Sequence, residues 1–106
     1  MDEIEEIKKI ILEHRGKTNA IKSREIANKV GINEDDTHAK TREIIRDIKE
    51  TDNLPVLACN KGYYLAETEE EFNEYIENLK NRIKGIEKRI QITIKMLKMS
   101  KIKNQI

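Results

Sequence analysis

The chain has no tryptophan, one phenylalanine, one proline and one cysteine in 106 residues. With aromatic residues at 4% and apolar residues at 37%, a large globular core is excluded, because small domains already bury a lower fraction of their surface. Packing must come from aliphatic side chains, from helices or from a second chain. The lone Cys59 excludes an internal disulfide and fits a reducing compartment. No run approaches the ~18 consecutive apolar residues of a membrane helix. Met1–Ile11 is acidic and periodic rather than basic and greasy, so it does not read as a secretory signal. The expectation is a protein without membrane contact in the cytoplasm, or in a host's cytoplasm if the source is viral.

Reactive side chains are also scarce. His14 and His38 have no partner at metal-ligand spacing, and Cys59 in a β-prone run reads as a small packed residue rather than a nucleophile. Gly16-Lys17-Thr18 resembles the end of a phosphate-binding loop, but position 11 is Ile where that loop needs glycine, and the segment follows a helix rather than a strand. Glu34-Asp35-Asp36 lacks the spacing of a calcium loop and reads as capping. No paired catalytic groups emerge. The expectation is no enzyme, no metal and no cofactor.

What the chain has in abundance is charge, 39% of all residues, with a net of +1. The balance hides a segregation. Residues 1–66 carry 12 basic and 13 acidic side chains, residues 67–81 six Glu and one Lys, and residues 82–106 eight basic groups against Glu87 alone.

Apolar periodicity orders the elements. Ile4, Ile7, Ile10 and Ile11 make a helical stripe in Met1–Arg15, with Gly16 as its stop. Ile21 suits a brief strand. Ser23 is a candidate N-cap for a short helix, Arg24–Val30, with Ile26, Ala27 and Val30 inward and Gly31 ending it; Ile32 then packs inward. A third helix is expected over Asp36–Glu50 with Thr37, Thr41, Ile44, Ile45 and Ile48 inward. Pro55 closes the following turn. Val56–Cys59 and Tyr63–Ala66 flank Asn60-Lys61-Gly62, a hairpin signal, and one of Tyr63 and Tyr64 should face inward. Thr68 and Glu71 form a capping box that opens a helix from Glu69 to about Lys101.

Helix, short strand, helix, glycine turn, helix and hairpin, in that order, resemble the winged helix-turn-helix superfamily. The residues that carry the resemblance are SREIANKVGI (Ser23–Ile32), KTREIIRDIKE (Lys40–Glu50) and LPVLACNKGYYL (Leu54–Leu65), the last similar to the wing of biotin-repressor-type winged helices. The resemblance covers about residues 4–66; the acidic connection Asn33–Lys40 is longer than the usual tight turn. It implies double-stranded DNA as partner, the third helix in the major groove and the wing on the flanking backbone or minor groove, as in small viral, plasmid or prokaryotic transcriptional regulators. Helical geometry then sets Ala39, Arg42 and Arg46 opposite the inward stripe, with His38 and Lys40 flanking them. Lys22, Ser23 and Arg24 lie where a helix N-terminus favours phosphate, and Lys61 at the wing tip. Arginine reads guanine edges and binds phosphate. The alternatives are a solvated face with Arg42 and Arg46 paired to Glu43, Asp47 or Glu50, and a protein-interaction adaptor in a replication or other nucleoprotein assembly.

Phe72, Ile76, Leu79, Ile83, Ile86 and Ile90, then Thr93 and Leu97, recur in alternating steps of four and three, the 3.5-residue period of a coiled-coil seam. The fold class expected is mainly α with a small hairpin: a winged helix-turn-helix domain over residues 1–66, and a C-terminal helix over 67–106 that forms a homodimer. The seam leaves both orientations open. The charge segregation favours an antiparallel pair, while Arg82 facing Glu87 of the other chain favours a parallel one. The basic end (Lys95, Lys98, Lys101, Lys103) suits either phosphate attraction or the helix dipole.

Overall fold

The computed structural model describes residues 2–100. Its elements are α1 (Glu3–Glu13), a single 3-10 turn (Lys17–Asn19), α2 (Ser23–Val30), α3 (Ala39–Thr51), β1 (Val56–Cys59), β2 (Gly62–Leu65) and α4 (Glu69–Ser100). The chain is thus mainly helical, with one two-stranded antiparallel hairpin and a long C-terminal helix. It divides into two compact units, the first running through Asn73 and the second beginning at Glu74. Among the described residues no helix is long and apolar enough to cross a membrane.

The first unit is held by aliphatic packing. Its core consists of Ile7, Ile11, Ile21, Ile26, Ile45, Ile48, Val56 and Leu65, with Val30, Ile32, Ile44 and Tyr63 packed around it. Burying one such side chain contributes about 1.5–3 kcal/mol, so a chain poor in aromatics compensates with isoleucine. Neither tyrosine of the hairpin is exposed: Tyr63, half-buried, packs against the core on the face it shares with Leu65, and Tyr64 on the opposite face of the strand is 2% exposed.

Long-range hydrogen bonds move several boundaries from their expected places. Helix α1 ends at Glu13 rather than Arg15, because the His14 carbonyl accepts from the Leu65 N–H at 2.8 Å and the Gly16 N–H donates to the Leu65 carbonyl at 2.9 Å. Gly16, at φ 85°, is therefore the residue that turns the chain away, two places after the cap. Ile21 pairs with Tyr63 through two backbone bonds of 2.8 Å, which hold the chain extended up to Lys22. Lys22, not Ser23, is then the N-cap of α2: its carbonyl accepts from Glu25 and Ile26, it offers no side-chain cap, and Ser23 is already helical. Gly31 ends α2 in the left-handed conformation, φ 81°, as expected of a glycine there.

Helix α3 starts at Ala39, three residues later than Asp36. Asp35 takes both the Thr37 N–H (3.0 Å) and the Thr37 hydroxyl (2.5 Å), an Asx turn that competes with helix, and His38 then stands at φ 55°. Thr37 is consequently exposed, not part of the inward stripe, which consists of Thr41, Ile45 and Ile48 with Ile44 at its edge.

The hairpin pairs Val56 with Leu65 and Cys59 with Gly62, so Asn60 and Lys61 form a two-residue turn. Strand β2 begins at Gly62 and ends before Ala66, whose N–H donates to the Pro55 carbonyl at 2.8 Å. Gly62 has φ 127°, and a Cβ there would run into the backbone of Ile21 and Lys22.

The capping box at the start of α4 is formed: the Glu71 N–H donates to the Thr68 hydroxyl at 3.1 Å, and the Glu71 carboxylate accepts from the Thr68 N–H at 3.4 Å. The same carboxylate accepts from the Glu67 and Lys17 N–H groups at 2.7 and 2.8 Å, tying the helix start to the 3-10 turn. Helix α4 has no buried residue. Lys101 and Lys103 lie outside the described residues.

Candidate nucleic-acid interface

Helix α3 buries one face and presents the other. Ala39, Arg42 and Arg46 are exposed, spaced three and four apart and so on one face. With Lys40, Glu43 and Tyr63 they line an open depression between α3 and β2. Among the described residues neither guanidinium forms an ion pair, although Glu43, Asp47 and Glu50 are at hand on the same helix. Lys40 reaches Glu3 at 3.5 Å, both side chains about half exposed, a contact weak enough in water to exchange for another anion. Tyr63 is the member of this surface that the sequence did not single out. The alternation along β2 was the available signal: it sets Tyr63 on the face of Leu65, where it packs at the edge of the core.

Lys22 and Arg24 are exposed and Ser23 half-buried at the start of α2, where the first-turn N–H groups lack intrahelical acceptors. The hairpin turn lies against this point, because the Gly62 backbone packs on Ile21 and Lys22; Lys61, in the turn, is exposed. The Ile21–Tyr63 pairing thus brings two cationic groups of residues, Lys22 to Arg24 and Lys61, to one end of the hairpin, while Tyr63 adjoins the arginine face of α3.

His38 is occupied differently. Its ring Nδ1 lies 2.9 Å from the Glu34 carboxylate, and its side chain is 18% exposed. A carboxylate accepts only, so Nδ1 carries the proton. Glu34 also accepts from the Thr41 N–H at 3.0 Å and from the Thr41 hydroxyl at 2.5 Å, capping α3 from outside the helix. Burial disfavours the charged form of Glu34, but the bonds from the Thr41 hydroxyl, His38 and the Thr41 N–H outweigh it and hold its pKa at about 2. His38 and Glu34 therefore fix the entry to α3 rather than extend its outer face.

On α4 the seam residues Phe72, Ile76, Leu79, Ile83, Ile86, Ile90 and Leu97 are all between 36% and 64% exposed. They form a continuous row of exposed large apolar side chains along the helix. Among the described residues no group of three His, Cys, Asp or Glu side chains stands close enough to hold a metal ion. No protein-family model, curated protein or solved structure matches the chain.

Proposed function

We propose that this chain is a dimeric, sequence-specific binder of double-stranded DNA, built as a winged helix-turn-helix and acting as a transcriptional regulator. Helix α3 enters the major groove with Arg42 and Arg46 on base edges and phosphates, and Ala39 allows close approach. The hairpin is the wing, with Lys61 on the flanking backbone or minor groove, and Lys22, Ser23 and Arg24 hold a phosphate at the start of α2. The seam of α4 joins two copies. The observation that carries the reading is the pair of exposed, unpaired guanidinium groups on the outer face of α3, beside the hairpin. The element order and the pairing of Ile21 with Tyr63 support it.

Selection of bound sequences from a random duplex library tests the proposal. Enrichment of a defined site is expected, and the double variant Arg42→Ala/Arg46→Ala should lose affinity for it. Unchanged affinity of that variant for every duplex would overturn the recognition assignment. The near-neutral charge of residues 1–66 favours one second reading, an adaptor that holds a protein partner in a nucleoprotein assembly. A stable protein partner together with no DNA retention at low salt would select it.

A further inference from the structure

We propose that α4 pairs with α4 of a second copy in antiparallel orientation, Ile83 of each chain packing on Ile86 of the other at the centre. This inference deepens the dimer proposed above and rests on it. The layers outward from the centre are then Leu79 on Ile90, Ile76 on Thr93 and Phe72 on Leu97.

The first support is charge. From residue 69 to 81 α4 carries five Glu against Lys80, and from 82 to 100 six basic side chains against Glu87. A parallel pair sets the acidic stretches side by side and the basic stretches side by side, relieved only where Arg82 faces Glu87 of the second copy. An antiparallel pair lays each acidic stretch along a basic one. Paired helices lie about 8–10 Å apart, close to one Debye length at physiological ionic strength, so these charges act on orientation. At the edges of the seam Arg82 falls beside Arg89 of the second copy, a repulsion that Lys80 beside Glu87 of the second copy offsets.

The second support is the apolar surface outside the seam. Ile94 and Met96 flank it on either side and are 42% and 59% exposed. In a parallel pair Ile94 meets Arg89 of the second copy. In the antiparallel register Ile94 meets Asn73 and Met96 meets Tyr75 of the second copy, so both apolar side chains face uncharged residues. The third support is Thr93, whose hydroxyl donates to the Arg89 carbonyl at 2.7 Å. That bond leaves its methyl group to pack on Ile76, where a parallel pair would stack threonine on threonine.

Antiparallel pairing sets the two Glu69 residues ~46 Å apart along the pair at 1.5 Å per residue, so the two N-terminal units are joined to its opposite ends. The test uses the full chain in a Cys59→Ser background. Leu79→Cys and Ile90→Cys chains carrying different tags are co-expressed and mildly oxidised without DNA. A disulfide between the two kinds of chain, with neither kind linking to itself, is the expected result. Self-linked Leu79→Cys and Ile90→Cys chains would overturn the orientation and leave the dimer standing. Wild-type chain that sediments only as monomer at tens of micromolar would overturn the pairing itself, whatever the outcome of the DNA selection. Spin labels on a Glu70→Cys chain give a second readout: a separation of ~44 Å is expected, and one of ~25 Å or less overturns the proposal.

Discussion

Glu34 holds Thr41 twice, once through the backbone N–H and once through the hydroxyl, at 3.0 and 2.5 Å. Thr41 is fully buried, so both donors depend on this carboxylate, and with them the angle at which α3 leaves the preceding loop. The outer face of α3 is aimed by a residue that lies before the helix begins.

Glu34→Ala should therefore destabilise the protein by about 1–3 kcal/mol, the cost of leaving buried donors unsatisfied, as measured by urea unfolding at neutral pH. The pH dependence has a definite sign. The pKa of Glu34 is lowered from 4.5 to about 2 in the folded chain, so its stabilising share is complete above pH 4.5 and is lost as pH falls through about 2. Glu71, also lowered by the backbone N–H groups of Glu67 and Lys17, acts in the same direction. The gap between wild type and Glu34→Gln should close as pH falls from 5 toward 2. A gap that persists at pH 2 would contradict the assignment.

The glycines at 62 and 85 should respond in opposite ways to alanine. Gly62 stands at φ 127° with the Ile21 carbonyl where a Cβ would go, and Ile21 cannot retreat without breaking its bonds to Tyr63. Gly62→Ala should cost at least ~2 kcal/mol. Gly85 lies inside α4 with nothing within 4 Å of the new methyl group, and Gly85→Ala should add up to ~1 kcal/mol through helix propensity. Thermal unfolding of the two variants beside wild type checks both.

The salt dependence of DNA affinity separates phosphate from base contacts. If Arg42 and Arg46 touch phosphate, each alanine substitution should lower the slope of log K against log salt by about 1 and weaken all duplexes alike. If either reads a guanine, its loss should cost ~1–3 kcal/mol at one position of the selected site and relax the preference there. Titrations at three salt concentrations, on the selected site and on a scrambled one, tell these apart.

Local chemistry made much of this molecule legible in its residues. Gly31 as a helix stop, Asn60-Lys61-Gly62 as a hairpin signal, Thr68 with Glu71 as a capping box, and the long helix α4 that it opens all follow from interactions within a few residues of chain, where backbone preference and side-chain period act without help. The inward faces of α1, α2 and α3 were readable for the same reason, except at Ile4, which is exposed, and at Thr37, which precedes α3. Tertiary structure decided what depends on partners far along the chain. Leu65 draws His14 and Gly16 out of α1, Tyr63 keeps Ile21 extended so that α2 starts from Lys22, and Glu34 with Asp35 delays α3 until Ala39 and takes His38 away from its outer face. Arg42 and Arg46 belong to both accounts: helical spacing put them outward, and the folded chain leaves both exposed without an ion pair among the described residues, because such a pair on a wet surface gains too little to be fixed by sequence proximity alone.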